Sequence, residues 1–365
     1  MLQIRKIVLT ILANIAFTVV LFLVVEGFSS VVIFTKQTFF TSLLEERKHT
    51  QYDDEIGWIN LPDLHIENMY GPGKSFSTNS RAFRSNKELS SAIPEDKIRI
   101  VCSGDSFTLG YGVDTADGWC QQLEAIDKHI EPVNLGQGGY GNDQAYLWYA
   151  RNSPTLNHNI QLFAFITDDF LRMEGDSFFG YGKPVLKVEN GMLVNKNRPV
   201  PKLAFTIPRL PMIREGISHL SVVQLLRRVL RPVTGEPQGS QTDQTQKELE
   251  TREVSLKIFE DLQRLNQAKG SVLVLIYLPR RPDYPLGKEV GPWRQFFHDL
   301  SSEHRFVTID LVDEIAKIPP QDTPSLYSSV NGHYSEKGNR IVAEALYRQL
   351  LAQPEIKSKL QPNRP

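Results

Sequence analysis

The chain is short of several things, and each shortage removes a class of function. Its 365 residues hold only two cysteines, too few for a disulfide scaffold or a four-ligand zinc site. There is no surplus of either charge: 41 basic residues face 42 acidic ones. A nucleic-acid partner needs a basic excess, and none is present overall or in any long run, so none is expected. Arg227, Arg228 and Arg231 read as a solvated face. His158, His219, His298 and His304 lack partners at ligand spacing, so no metal is expected. No phosphate loop, GxGxxG register or internal repeat occurs, and no cofactor is expected. Cys102 and Cys120 could pair in an oxidising compartment, but one lies in a strand-like run and the other in a helix-like one, so two buried free thiols are the reading preferred.

What remains is the composition of a globular protein, 41% apolar and 23% charged, long enough for roughly two domains. One segment departs from it. From Ile7 to Phe34 the only charge is Glu26, and Ile7 to Val25 carries none. At about 1.5 Å per residue such a run spans a hydrocarbon core of about 30 Å. It is longer than the apolar stretch of a cleaved signal peptide and bulky throughout, so residues 1–35 read as an uncleaved anchor. Arg5 and Lys6 stand directly before it, and Lys36, Arg47 and Lys48 follow at greater distance. That bias favours a cytoplasmic amino end and places the bulk of the chain outside the cytoplasm.

Residues 36–97 are polar and turn-rich and read as a stalk and collar packed on the main domain. From Ile98 the pattern alternates. An apolar run (IRIVCSG) precedes a helix at Gly118–Lys128, a second run (PVNLG) precedes a helix near Asp143–Arg151, and a third covers Ile160–Thr167. After an insertion, 172–246, it resumes with a helix at Lys247–Ala268, a strand at Ser271–Leu278 and a helix at Pro292–Glu303. A strand at Phe306–Leu311 and a helix at Ser335–Leu351 close it. Alternating strands and helices predict a three-layer α/β/α sandwich, its central parallel sheet having about five strands, over residues 98–352. Residues 353–365 read as a tail. Within the insertion, Asn190-Gly191 predicts a type I′ hairpin, and residues 235–246, without an apolar side chain, read as a mobile loop.

Four polar segments fall at the carboxyl ends of these strands or before the last helix, where open α/β sheets bind ligands. They are Gly104-Asp105-Ser106-Phe107, Asn134-Leu135-Gly136-Gln137-Gly138-Gly139, Thr167-Asp168-Asp169-Phe170 and Asn331-Gly332-His333-Tyr334-Ser335. Singly each is an ordinary turn or helix cap. Together they supply a hydroxyl, a glycine turn that lets backbone N–H groups approach a ligand oxygen, and an imidazole able to take the hydroxyl's proton.

With these blocks the chain resembles the GDSL, or SGNH, hydrolase superfamily, and more narrowly its membrane-anchored bacterial members. Those share a long apolar amino end and a collar with Asn-Ser-x-x-Phe-Arg, here Asn79, Ser80, Phe83 and Arg84. The resemblance covers residues 53–175 and 306–350. It implies the flavodoxin-like SGNH-hydrolase fold, a Ser106 nucleophile, a His333 base, and an oxyanion hole from Ser106, Gly139 and position 168. The substrates it implies are acyl esters, possibly O-acetyl, of envelope or secreted polysaccharide, or of lipid. Two positions depart from the family pattern. Asp168 replaces an asparagine, and an ionised carboxylate accepts hydrogen bonds without donating any, so it serves only if burial beside Asp169 keeps it protonated. Asn331 stands where the family places the acid that orients the histidine. It can hold the ring but not stabilise imidazolium as a carboxylate would, which leaves a backbone carbonyl or a distant acid such as Asp322 to compensate. An envelope binding or scaffold protein that kept the fold without turnover, or an O-acyltransferase, is the competing expectation.

Overall fold

A computed structural model describes residues 2–39, 49–178, 181–202, 222, 241–280, 291–328 and 332–361. His219 and the arginines at 227, 228 and 231 lie outside the described residues, as does the stretch 235–240 of the expected mobile loop. The chain divides into two compact units, 1–48 with 203–244, and 49–202 with 245–365. The insertion read as one piece is therefore shared between them.

In the first unit, α1 runs from Leu2 to Phe39. Its Arg5–Val32 stretch has a mean hydropathy of 2.8, apolar and long enough to cross a membrane.

The second unit is built on five parallel strands: β1 Ile98–Gly104, β2 Ile130–Asn134, β3 Ile160–Phe165, β4 Val272–Tyr277 and β5 Val307–Asp310. Their spatial order is β5-β4-β3-β1-β2. β1 pairs with β3 from Ile100↔Ile160 to Gly104↔Ala164. β3 and β4 are buried along their whole length. That is why β4 reads as an unbroken apolar run and β3 as one interrupted only by Gln161, as strands covered on both faces do.

The pleat separates two cores. Val101, Phe163, Phe165, Leu273, Leu275 and Tyr277 face one side, with residues of α4 (Asn142–Asn152), α6 (Gln241–Gln267) and α7 (Pro292–Ser302). Ile100, Cys102, Leu162, Ala164, Val274 and Ile276 face the other, with residues of α3 (Trp119–Ile126) and α8 (Glu336–Ala352). The three-layer α/β/α sandwich is thus present, and Ile56, Trp58 and Phe83 join the collar to its first core.

Three expectations are corrected. Cys102 and Cys120 form a disulfide, with Cα atoms 6.2 Å apart. Being in a strand and a helix does not separate them, because α3 packs on the face of β1 from which Cys102 projects. Residues after Ala352 form a helix, Pro354–Leu360, whose Ile356 and Leu360 are buried in the second core. Finally, α6 begins at Gln241, so residues 241–246 are helical instead of loop. The predicted hairpin is present: Leu186–Glu189 pairs with Met192–Asn195, and Asn190 and Gly191 both have positive φ, 51° and 75°, as a type I′ turn requires.

Candidate active site

The strand order reverses between β1 and β3, which puts the ligand crevice outside their carboxyl ends. A Cβ on Gly104 would stand 2.3 Å from the Ala164 carbonyl oxygen and 2.4 Å from Thr108 Oγ1. Only glycine lets the chain leave β1 this close to β3. Asp105 then caps a single helical turn, Ser106–Leu109, its Oδ1 accepting from the Phe107 N–H at 2.8 Å. The buried Arg84 of the collar secures the next loop. Its guanidinium donates to the carbonyls of Leu109 and Gly110, both at 2.5 Å, and of Val113 at 2.6 Å.

Ser106 is 4% exposed, and its Oγ lies 2.7 Å from His333 Nε2. The imidazole comes from the loop before α8, whose first turn is capped by Ser335 accepting from the Gly338 N–H at 3.1 Å. The Ser328 N–H donates to the His333 carbonyl at 2.7 Å, and the Tyr334 hydroxyl donates to the Pro279 carbonyl at 2.5 Å. The ring lies between those of Phe107 and Tyr111, with centroids 4.7 and 4.9 Å away. Two side chains 227 positions apart in sequence are thereby brought to hydrogen-bond distance.

The turn after β2 is tied to the end of β1, the Gln137 N–H donating to the Gly104 carbonyl at 3.2 Å. Gly139 has φ +74°, and a Cβ there would come within 2.7 Å of the Phe178 ring, so the position demands glycine twice over. Gly138 is fixed by its carbonyl, which accepts from Trp58 Nε1 at 2.9 Å. Among the described residues, neither the N–H of Ser106 nor that of Gly139 is engaged by a protein acceptor. Both remain available to a ligand oxygen.

The third block differs from expectation. Asp168 is 41% exposed in its side chain and accepts a hydrogen bond from Arg280 Nη1 at 2.6 Å. It is therefore a half-exposed acceptor paired with a guanidinium, not a side chain buried beside Asp169. Burial falls on its neighbour. Asp169, 1% exposed, accepts from the Ile166 N–H at 3.0 Å and from Arg172 Nη1 at 2.6 Å. Burial, and then the charge of Asp105, push its carboxyl well above the usual range. Burial works against the charge of Arg172, but Asp169 and Asp105 outweigh it and hold the guanidinium above its ordinary value. Asn331, the expected histidine orienter, lies outside the described residues. Asp322 is exposed and sits at the amino end of a 3-10 turn, Thr323–Leu326. Among the described residues it makes no hydrogen bond to the imidazole.

Sequence reasoning passed over Arg172, the partly buried partner of two carboxylates at the nucleophile turn. The available signal was its i,i+3 spacing from Asp169 on one helical turn.

No family model matches the chain, and no curated protein matches it. Several solved structures are similar in fold. One is a lipolytic protein of the G-D-S-L family from Desulfitobacterium hafniense DCB-2 (12% identity, TM-score 0.41, covering 69% of this chain and 99% of that one). Another is a lipolytic protein of the G-D-S-L family from Veillonella parvula DSM 2008 (12%, 0.36, 69% and 97%). A third is the acetyl xylan esterase AlAXEase (12%, 0.40, 69% and 99%). Fold and site together define a three-layer α/β/α domain with a serine–histidine pair at the carboxyl edge of its sheet. At these identities the likeness is one of fold, and the chemistry rests on the residues described above.

Proposed function

We propose that the chain is a membrane-anchored serine esterase that cleaves acyl esters by a Ser106–His333 mechanism. The observation that carries this reading is the 2.7 Å approach of Ser106 Oγ to His333 Nε2 at the carboxyl edge of a parallel sheet. A serine hydroxyl is a weak nucleophile until a neighbouring base takes its proton. His333 Nε2 takes it as Oγ bonds to the ester carbonyl carbon. The negative charge then forming on the carbonyl oxygen is received by the N–H groups of Ser106 and Gly139. As the alcohol leaves, it takes the proton from His333, and the acyl group remains on Ser106. Water, deprotonated by the same imidazole, releases the acid and restores the serine. An alcohol in place of that water gives acyl transfer by the same steps.

With Asp168 held by Arg280, the third donor of the family pattern is missing, which lowers the rate by about 10²–10³. The substrate class we assign is an acyl ester of an envelope or secreted polysaccharide, or of a lipid, outside the cytoplasm. The apolar α1 supports the anchor, and the Cys102–Cys120 disulfide supports an oxidising compartment.

The test uses the full chain in detergent micelles, a short-chain nitrophenyl ester and a fluorophosphonate probe. Wild-type protein is expected to be labelled on Ser106, and Ser106→Ala and His333→Ala to lose both labelling and turnover, the latter variant by about 10³ or more. A folded wild-type chain that neither labels nor turns over ester would leave the binding or scaffold role instead.

A further inference from the structure

We infer that Arg172 is a positioning residue that locks the nucleophile turn to the oxyanion turn, an inference that rests on the esterase reading above. One nitrogen does the joining. Arg172 Nη1 donates to Asp105 Oδ2 at 3.1 Å, to the Tyr140 carbonyl at 2.9 Å and to Asp169 Oδ1 at 2.6 Å. Asp105 is the residue before Ser106 and caps its helical turn. Tyr140 is the residue after Gly139. The three acceptors therefore belong to the chain segments that follow β1, β2 and β3, and no other described side chain bonds all three.

The guanidinium is itself held. Its Cζ stacks 5.1 Å from the centroid of Phe178, the ring that crowds the Cα of Gly139. The fully buried Lys183, paired with Asp143 at 3.1 Å, donates to the Arg172 carbonyl at 2.7 Å. Phe178 and Lys183 both belong to the first part of the insertion. That segment thus serves as a brace beneath the oxyanion turn.

The chemical consequence follows from preorganisation. Oxyanion donors lower the barrier only if they already point at the place where charge develops. Two N–H groups on two different turns hold that aim only while the turns keep one relative position. Without Arg172 a buried Asp105 carboxylate also stands unneutralised 3.4 Å from Ser106 Oγ, where it opposes the forming oxyanion.

The test compares Arg172→Gln and Arg172→Lys with wild type in the full chain, reading kcat and KM on the nitrophenyl ester and the rate of fluorophosphonate labelling. Glutamine supplies no charge, and its kcat should fall by about a hundredfold with KM within about threefold, because the loss is confined to the transition state. Lysine brings three N–H groups to one point but on a stem one bond shorter. It should recover most of the loss and stay about three- to tenfold below wild type in kcat. A Gln kcat within about threefold of wild type, a fall shared between kcat and binding, or a Lys variant as weak as the Gln one would overturn the inference. Should the Gln variant not fold by circular dichroism, the Lys variant decides: kcat equal to wild type refutes, and a selective kcat loss supports. Labelled wild type with unaffected variants defeats this inference alone; unlabelled wild type defeats the esterase reading beneath it.

Discussion

Reducing the Cys102–Cys120 disulfide should lower stability by an amount the structure fixes. The bond closes a loop of 18 residues between β1 and the first turn of α3. In the chain-entropy treatment, cross-linking removes about 2.1 + 1.5R ln n cal/mol/K from the unfolded ensemble, which at this loop length is about 3 kcal/mol at 25 °C. For a folded unit of this size each kcal/mol moves the melting temperature by about 2 °C, so the expected fall is about 6 °C. Both sulfurs are fully buried, and reductant does not reach them in the folded chain. The assay therefore unfolds the protein in urea with a phosphine reductant, refolds it by dilution in the same reductant, and follows the melt beside an untreated sample. Reduction leaves both sulfur atoms in place, so the shift isolates the cross-link from the packing that an alanine variant would also remove. Equal melting temperatures would refute the reasoning. So would two maleimide-reactive thiols in protein unfolded without reductant, which would restore the reading of two free cysteines.

Asp168→Asn should raise ester turnover, by up to about 10² if the new amide donates to the oxyanion. A fall would assign the Asp168–Arg280 pair a role of its own, and initial rates on the nitrophenyl ester decide. The collar gives a prediction in pH. Burial raises the Asp53 carboxyl, but the hydrogen bonds from Arg151 and from the Ile56 and Glu55 N–H groups outweigh it and hold the pKa below 3.8. A lowered folded pKa stabilises fully above the unfolded value and is lost as pH falls through the folded one. Asp53→Asn should therefore lower the melting temperature at pH 7, by a deficit that shrinks as the pH falls below 3.8. A constant deficit across that range would show that the ion pair is not the cause.

The elements legible in the sequence are those whose cause is local. β4 is apolar at every position and β3 at every position but Gln161 because both of their faces are covered, and no partner need be known to see this. Asn190-Gly191 predicts its turn because both residues tolerate positive φ, and Ser335 predicts its cap because the next residues begin a helix. The terminal helix Pro354–Leu360 escaped notice because its burial rests chiefly on Ile356 and Leu360, too few apolar positions to set a period. The disulfide escaped because strand and helix patterns say nothing of which face of β1 receives α3.

The candidate site divides along the same line. Ser106 and His333 fall in segments that end a strand or precede a helix, and the family resemblance implies the pair whose side chains meet at 2.7 Å. Which of two adjacent aspartates is buried is not marked in that way. On a helical turn neighbouring residues point about 100° apart, and only tertiary contacts of Thr167–Arg172, such as Phe170 on Trp293 and Arg172 on Asp105, decide that Asp169 turns inward and Asp168 outward. The two arginines that hold these turns show the limit most clearly. Arg84 stands in the sequence as part of the collar motif and Arg172 as an ordinary charge, and neither pattern shows how far the guanidinium is withdrawn from water, which is unfavourable until its donors are met. Carbonyls of the loop after Ser106 meet those of Arg84, and Asp105, Asp169 and Tyr140 meet those of Arg172. Each set of acceptors is assembled only when distant segments fold together. The residues that would react are thus written locally, whereas the charges that hold them in place exist only in the tertiary structure.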